Sequence, residues 1–350
     1  MKRKLVTFFA MLLSLVVALS ASGCSSITFL SFNNNFAGGV DHSVVPQTLT
    51  ETLTYEVNYA EKYHTSYIKK GDSIDQSILK FEFGTGTYVQ TLTISPRLPE
   101  GITTTLEDAS GNRIYCLKST LSIPVKYAVN GASLESVEFT TDTIESEVYF
   151  LAANLSFAPI YSSTKSSITF SNVQENTAAV KAIKVQTTTK YSQTEYVTTT
   201  KVDDEAATTT TYKYDYKTAI DNNQLLFALR NATLSTELYS TLPVISYSYG
   251  AAKDLHVRLH ESLKESFKID YTVNGTTATQ DGEVEYNHVS FILGASTNTG
   301  SPKYLKIQKS KTANLPYRAL VLQYAEPITT YGTFETLGAL VYTLKSVEIA

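Results

Sequence analysis

Two histidines four residues apart come closest to a metal-binding pattern in this chain. In His256-Val-Arg-Leu-His260-Glu261 the spacing sets both imidazoles on one face of either a helix or a strand. The glutamate follows the second histidine, so the order is not that of a helical metalloprotease, and only His42, His64 and His288 remain to complete a ligand set. Beyond the N-terminal segment the one cysteine is Cys116, so a closed zinc site would have to be finished with carboxylates. The expectation is no metal and no cofactor, with His256 and His260 facing solvent on a charged stretch.

Nucleophile patterns are equally sparse. Ser66 to Lys69, Ser77 to Lys80 and Ser162 to Lys165 each have the Ser-x-x-Lys spacing in which a lysine activates an acylating serine, but the companion Lys-Thr-Gly is missing, Lys311-Thr312-Ala313 being the nearest approach. Gly84-Thr-Gly86 lacks the third glycine of a dinucleotide loop. Asp142, Glu145 and Glu147, or Asp203, Asp204 and Glu205, would serve as calcium ligands or as a glycosidase pair only if the fold converged them; they read as solvated strand and turn residues. Catalytic residues therefore stay unknown. The 24 tyrosines and 15 phenylalanines, with no tryptophan, read first as core and only second as stacking surfaces for sugars.

The N-terminus is more informative. Met1-Lys2-Arg3-Lys4 carries three positive charges, Leu5 to Ala21 is uncharged and apolar, and Ala21-Ser22-Gly23 follows directly, the order of an export signal with its processing site. Ala21-Ser22-Gly23-Cys24 resembles the lipobox of bacterial lipoproteins, with alanine where that family usually carries leucine. The resemblance covers these residues only, and implies cleavage before Cys24 and acylation of its sulfur, anchoring the mature chain to a membrane on the extracytoplasmic side. Removing residues 1–23 leaves 26 basic against 33 acidic residues, net −7, which disfavours nucleic acid as a partner.

Elements follow from periodicity. Leu49, Glu51, Leu53, Tyr55, Val57 and Tyr59 alternate with polar residues, and similar alternation recurs in Tyr88–Ile94, Ser133–Thr140, Glu147–Leu151, Ala179–Thr187, Lys268–Val273, Glu283–Leu293, Ala319–Tyr324 and Leu340–Ile349. Ser110-Gly111-Asn112, Asn130-Gly131, Asn274-Gly275 and Asp281-Gly282 supply turns. Helix is expected only at Asp221–Ala232, capped by Asp221, and at Leu255–Phe267. The threonine-rich stretch 187–217 reads as a hairpin with Asp203-Asp204-Glu205 at its tip, either protruding or forming edge strands.

Tyr127-Ala-Val-Asn130-Gly131 recurs as Tyr271-Thr-Val-Asn274-Gly275. Val148–Leu151 matches Val289–Ile292, Pro159-Ile-Tyr161 matches Pro302-Lys-Tyr304, and upstream Asp75, Leu79 and Phe81 align with Asp221, Leu225 and Phe227. The common order predicts a duplication. The resulting expectation is an all-β protein of two tandem antiparallel β-sandwich-like domains: 1–23 signal, 24–47 lipidated N-terminus and tether, 48–189 and 190–350, with fragments 48–187 and 191–350 each folding alone. The functional expectation is a lipid-anchored, non-catalytic envelope or surface module binding a protein or polysaccharide. A polysaccharide-binding accessory lipoprotein is the alternative, and a hydrolase with an unidentified carboxylate site the second.

Overall fold

The computed structural model describes residues 28–29, 31–32, 49–64, 68–70, 75, 77–94, 97–104, 114–151, 157–174, 177–214, 219–234, 236, 240–246, 252–293, 302–329, 331–332 and 336–350. The fold is all-β. Its strands of five residues or more are β1 (Thr50–Ala60), β2 (Leu79–Phe83), β3 (Gly86–Ile94), β4 (Ile114–Val129), β5 (Thr140–Leu151), β6 (Pro159–Gln174), β7 (Thr177–Tyr191), β8 (Glu195–Val202), β9 (Thr208–Lys213), β10 (Ser240–Ile245), β11 (Lys253–Val273), β12 (Thr276–Leu293), β13 (Lys303–Gln308), β14 (Val321–Thr329) and β15 (Thr336–Ile349). Among the described residues there is one short α-helix, α1 (Leu225–Arg230).

Strand β15 is the junction of the sheet. One edge pairs antiparallel with β1; the other pairs with β14 up to Thr343 and then, from Ser346, in parallel with the end of β11. Since β11, β12, β13 and β14 form an antiparallel meander, that last pairing closes a five-strand circuit. From β1 the sheet continues through β3, β4, β5, β6, β7 and β8 to β9, with β2 beside the far half of β4. Closure of this kind satisfies backbone groups that an open edge would leave unpaired.

Alternation works as expected in β1, where Glu51, Leu53, Tyr55 and Val57 are all buried. Helix α1 fills the inside of the curved sheet. Its Phe227 lies 5.5 Å from Phe150, 5.4 Å from Phe157 and 6.2 Å from Tyr115, ring centroid to ring centroid. Leu225, Phe227, Ala228 and Leu229 are buried on nearly every side, which is how a six-residue helix too short to stand alone is kept. Asp221 caps the preceding 3₁₀ turn by accepting from the Asn223 amide at 2.7 Å.

Several expectations need correction. Leu255–Phe267 is strand, because its pairing with β12 outweighs an intrinsic pattern compatible with helix. Ser133–Thr140 contains a 3₁₀ turn at Leu134–Ser136, and the strand begins only at Thr140. Asp281-Gly282 lies within β12, opposite Lys268 and Phe267, not at a turn. The threonine-rich segment is a three-stranded meander, β7-β8-β9, with Thr187, Thr189 and Thr198 buried, so one of its faces is not solvent-tolerant. Part of the expected tether belongs to the fold: Thr28–Phe29 pairs in parallel with Ser240–Thr241, Ser31–Phe32 pairs with Ala232–Thr233, and Phe32 packs 5.2 Å from Phe157.

The boundary expected near residue 190 lies inside β7, which is paired on both edges. The largest apolar cluster crosses it, joining Leu53, Leu117 and Phe150 to Phe227, Val257, Leu305 and Leu344. The halves share a core. Their repeated motifs nevertheless occupy matching places: β4-β5-β6 and β11-β12-β13 are both antiparallel meanders, with Tyr149 opposite Tyr161 in one and Ser290 opposite Tyr304 in the other. Both Asn-Gly steps use left-handed backbone, with φ of 54° and 84° at Asn130 and Gly131, and 47° and 79° at Asn274 and Gly275. The upstream correspondence breaks, since Leu79 and Phe81 are strand while Leu225 and Phe227 are helix.

Candidate functional site

Cys24, the export segment, His42 and Ser66 lie outside the described residues. His256 and His260 stay on one face of the sheet: His256 lies beside Arg258, which pairs with Ser290, and His260 reaches the Ser290 hydroxyl. A bulge between Leu259 and Glu261 leaves His260 as the extra residue of β11, whereas His256 stays in the ladder opposite Thr241 and Ile292. Asp142 accepts from the Thr169 amide at 2.8 Å, Glu147 faces Lys118 at 3.6 Å, and Asp203 accepts from the Lys184 amide at 2.8 Å; each carboxylate has its own local task. Among the described residues no group of three or more His, Cys, Asp or Glu is arranged to hold a metal ion. Burial pushes the Cys116 thiol up to about 11, so it is an inert core residue at neutral pH.

A small, largely buried polar pocket, with room for about one water molecule, lies where β6 and β7 meet the Asp221–Asn223 turn and the residue after β10. Its walls are Ser162 and Thr164 of β6, Thr187 and Thr189 of β7, Asp221, Asn222, Asn223, Ile245 and Ser246. Inward positions of a strand normally carry aliphatic side chains; here they carry hydroxyls. The Tyr191 hydroxyl donates to the Asp221 carboxyl, the Asn223 amide N–H holds its other oxygen, and the Asn223 side chain donates to Thr164 Oγ1 at 3.1 Å. Burial raises the Asp221 carboxyl above the usual carboxylate range, and its hydrogen bonds to Ser162, Tyr191 and Asn223 draw it only part of the way back. Tyr191 also opens a ring cluster in which Tyr196 and Tyr212 stack at 5.2 Å and the Tyr214 hydroxyl donates to the Ser192 carbonyl at 2.9 Å. The polar groups here pair with one another, so the arrangement satisfies a buried carboxyl and its neighbouring hydroxyls within the fold.

A second constellation gathers the histidines. His64, in the loop after β1, stacks on His288 of β12 with centroids 4.8 Å apart; His288 in turn lies 5.5 Å from Tyr304 of β13 and 5.4 Å from His260. His260 Nε2 and Ser290 Oγ are 2.7 Å apart. Alongside, the buried Lys306 ammonium meets Glu265 and lies over the rings of Tyr286 and Tyr63, at 5.3 and 5.7 Å. The rings are layered and do not converge their nitrogens on one point. Nothing in the local sequence announces this stack, because its members are spread over four segments.

No protein-family model matches the chain, and no curated protein matches it. Among solved structures it is similar to the crystal structure of a beta-barrel-like protein of domain of unknown function DUF1849 from Brucella abortus. The identity is 9%, covering 86% of this chain and 98% of that one, with a TM-score of 0.39.

Proposed function

We propose that the protein is exported, lipidated on Cys24 and held on the extracytoplasmic face of a membrane, where it serves as a non-catalytic binding or structural module of the envelope or surface. The observation that supports this is the order of elements in residues 1–24: three positive charges, an uncharged apolar run, small residues and then cysteine. Two or more acyl chains make such an anchor durable, where one chain binds only marginally. Cys24→Ser is expected to shift the protein from the membrane fraction to the soluble extracytoplasmic fraction and to abolish palmitate labelling. A wild-type protein that stays membrane-bound without taking up label would refute lipid anchoring.

A further inference from the structure

We propose that residues 61–64 and 68–70 form a latch over His288 of β12 and Tyr304 of β13 that acid releases. The latch is a two-residue ribbon, Lys62–Tyr63 paired with Ile68–Lys69, closed by the Lys70 amide donating to the Glu61 carbonyl at 2.7 Å and by a Lys70–Glu61 ion pair at 3.6 Å. Its apolar side, Tyr63 and Ile68, packs with Tyr304, Ala325 and Ala339. That is a small contact for a whole segment, and His64 within it has left-handed backbone at φ 46°.

What lies beneath the latch is ionisable. His288 is fully buried under His64, and Lys306 is 4% exposed beside it. The titratable and charged groups that surround His288 are His64 from the latch, His260 with its neighbours Arg258 and Glu261 from β11, and Tyr304 and Lys306 from β13. Glu265, which also reaches this face from β11, is engaged by Lys306, and Lys303 is engaged by Glu326. A proton on His288 therefore adds positive charge next to Lys306 and two more imidazoles in a buried place.

Burial, with His64, His260 and Lys306 adding to it, lowers His288 from 6.5 to about 4. The closed latch thus resists protonation, while lifting it hydrates the ring, removes His64 and moves its affinity for a proton back toward the ordinary value. Since the lifted form binds more protons between these two values, its population rises as pH falls through that window. Linkage for this one group gives an increase in the opening equilibrium of at most about seventyfold between pH 7.5 and 4.5, reached when the open ring returns fully to 6.5.

Hydrogen exchange of the full chain tests this, read at the latch amides, Lys70 above all, after correction for the pH dependence of intrinsic exchange. Latch amides are expected to lose protection at least about tenfold, and by up to that factor, at pH 4.5 while amides of β12 and β15 keep theirs. His288→Phe retains a ring in the stack and cannot titrate, so its latch protection is expected to be the same at both pH values. Unchanged protection in the wild type, or an equal loss in H288F, overturns the proposal. Should H288F not fold, NMR titration of the wild-type His288 ring decides: a pKa near 6.5 with the latch amides still protected overturns it, and one near 4 rising toward 6.5 in Tyr63→Ala, which loosens the latch, supports it.

Discussion

Glu51→Ala should lower the unfolding free energy by about 3–5 kcal/mol, the cost of leaving a buried charge without its partner. Glu51 is 1% exposed on β1. Its carboxylate receives Arg230 Nη1 at 2.6 Å, Arg230 Nη2 at 3.3 Å and Arg318 Nε at 3.0 Å. Arg230 is itself 2% exposed at the end of α1 and also donates to the Arg318 carbonyl at 3.1 Å. One carboxylate thus ties the first long strand, the internal helix and the segment before β14 together, and removing it strands two guanidinium groups. Burial alone would raise the Glu51 carboxyl, but the two arginines outweigh it and hold the group below its ordinary 4.5. The stability it contributes is therefore fully present above about pH 4.5 and is lost as pH falls through the lower folded value. Urea unfolding at pH 7 and pH 4 checks both parts. A loss under about 1 kcal/mol at pH 7 would mean that the site hydrates or rearranges.

Separating the chain near residue 190 should abolish folding of both pieces. Fragment 48–187 contains β1 without β15, and fragment 191–350 contains β15 without β1, although these strands pair from Glu51 to Ala60. The cut also removes α1 from the Tyr115, Phe150 and Phe157 rings that enclose it, and Glu51 from Arg230. Each piece would expose half of a common core, a loss far larger than the few kcal/mol by which domains of this size are stable. Circular dichroism and denaturant titration of the two fragments are the measurements, and a cooperative transition in either fragment alone would contradict the shared core. The intact protein is expected to unfold in one transition.

The strands were legible because alternation is local: Leu53, Tyr55 and Val57 mark the buried face of β1 without reference to anything else. The same pattern placed Glu51 on that face, and a carboxylate in a buried row is a sign that an arginine must be nearby. Which arginine was not readable, since Arg230 and Arg318 are 179 and 267 residues away. His256 and His260 share a face as counting implies, but the partners of His260, His288 and Tyr304, come from other strands and no local spacing encodes them. Asp221 was correctly read as a cap, while its burial against Tyr191 arises from how β7 passes behind the turn, which no local spacing encodes. The repeat was visible as a sequence match, and its boundary misled because matching meanders can be stitched into one sheet as readily as into two.

If Cys24 carries the proposed acyl chains, the pairing of Thr28–Phe29 with β10 would set how the molecule stands on the membrane. Four residue steps separate Cys24 from Thr28, a reach of at most about 14 Å even when fully extended. With acyl chains on Cys24, the body would be moored nearly flush with the lipid headgroups, not raised on a stalk, and the Ser240–Thr241 side of the sheet would be its underside. Partners would then have to approach from above or along the bilayer, because little room is left beneath.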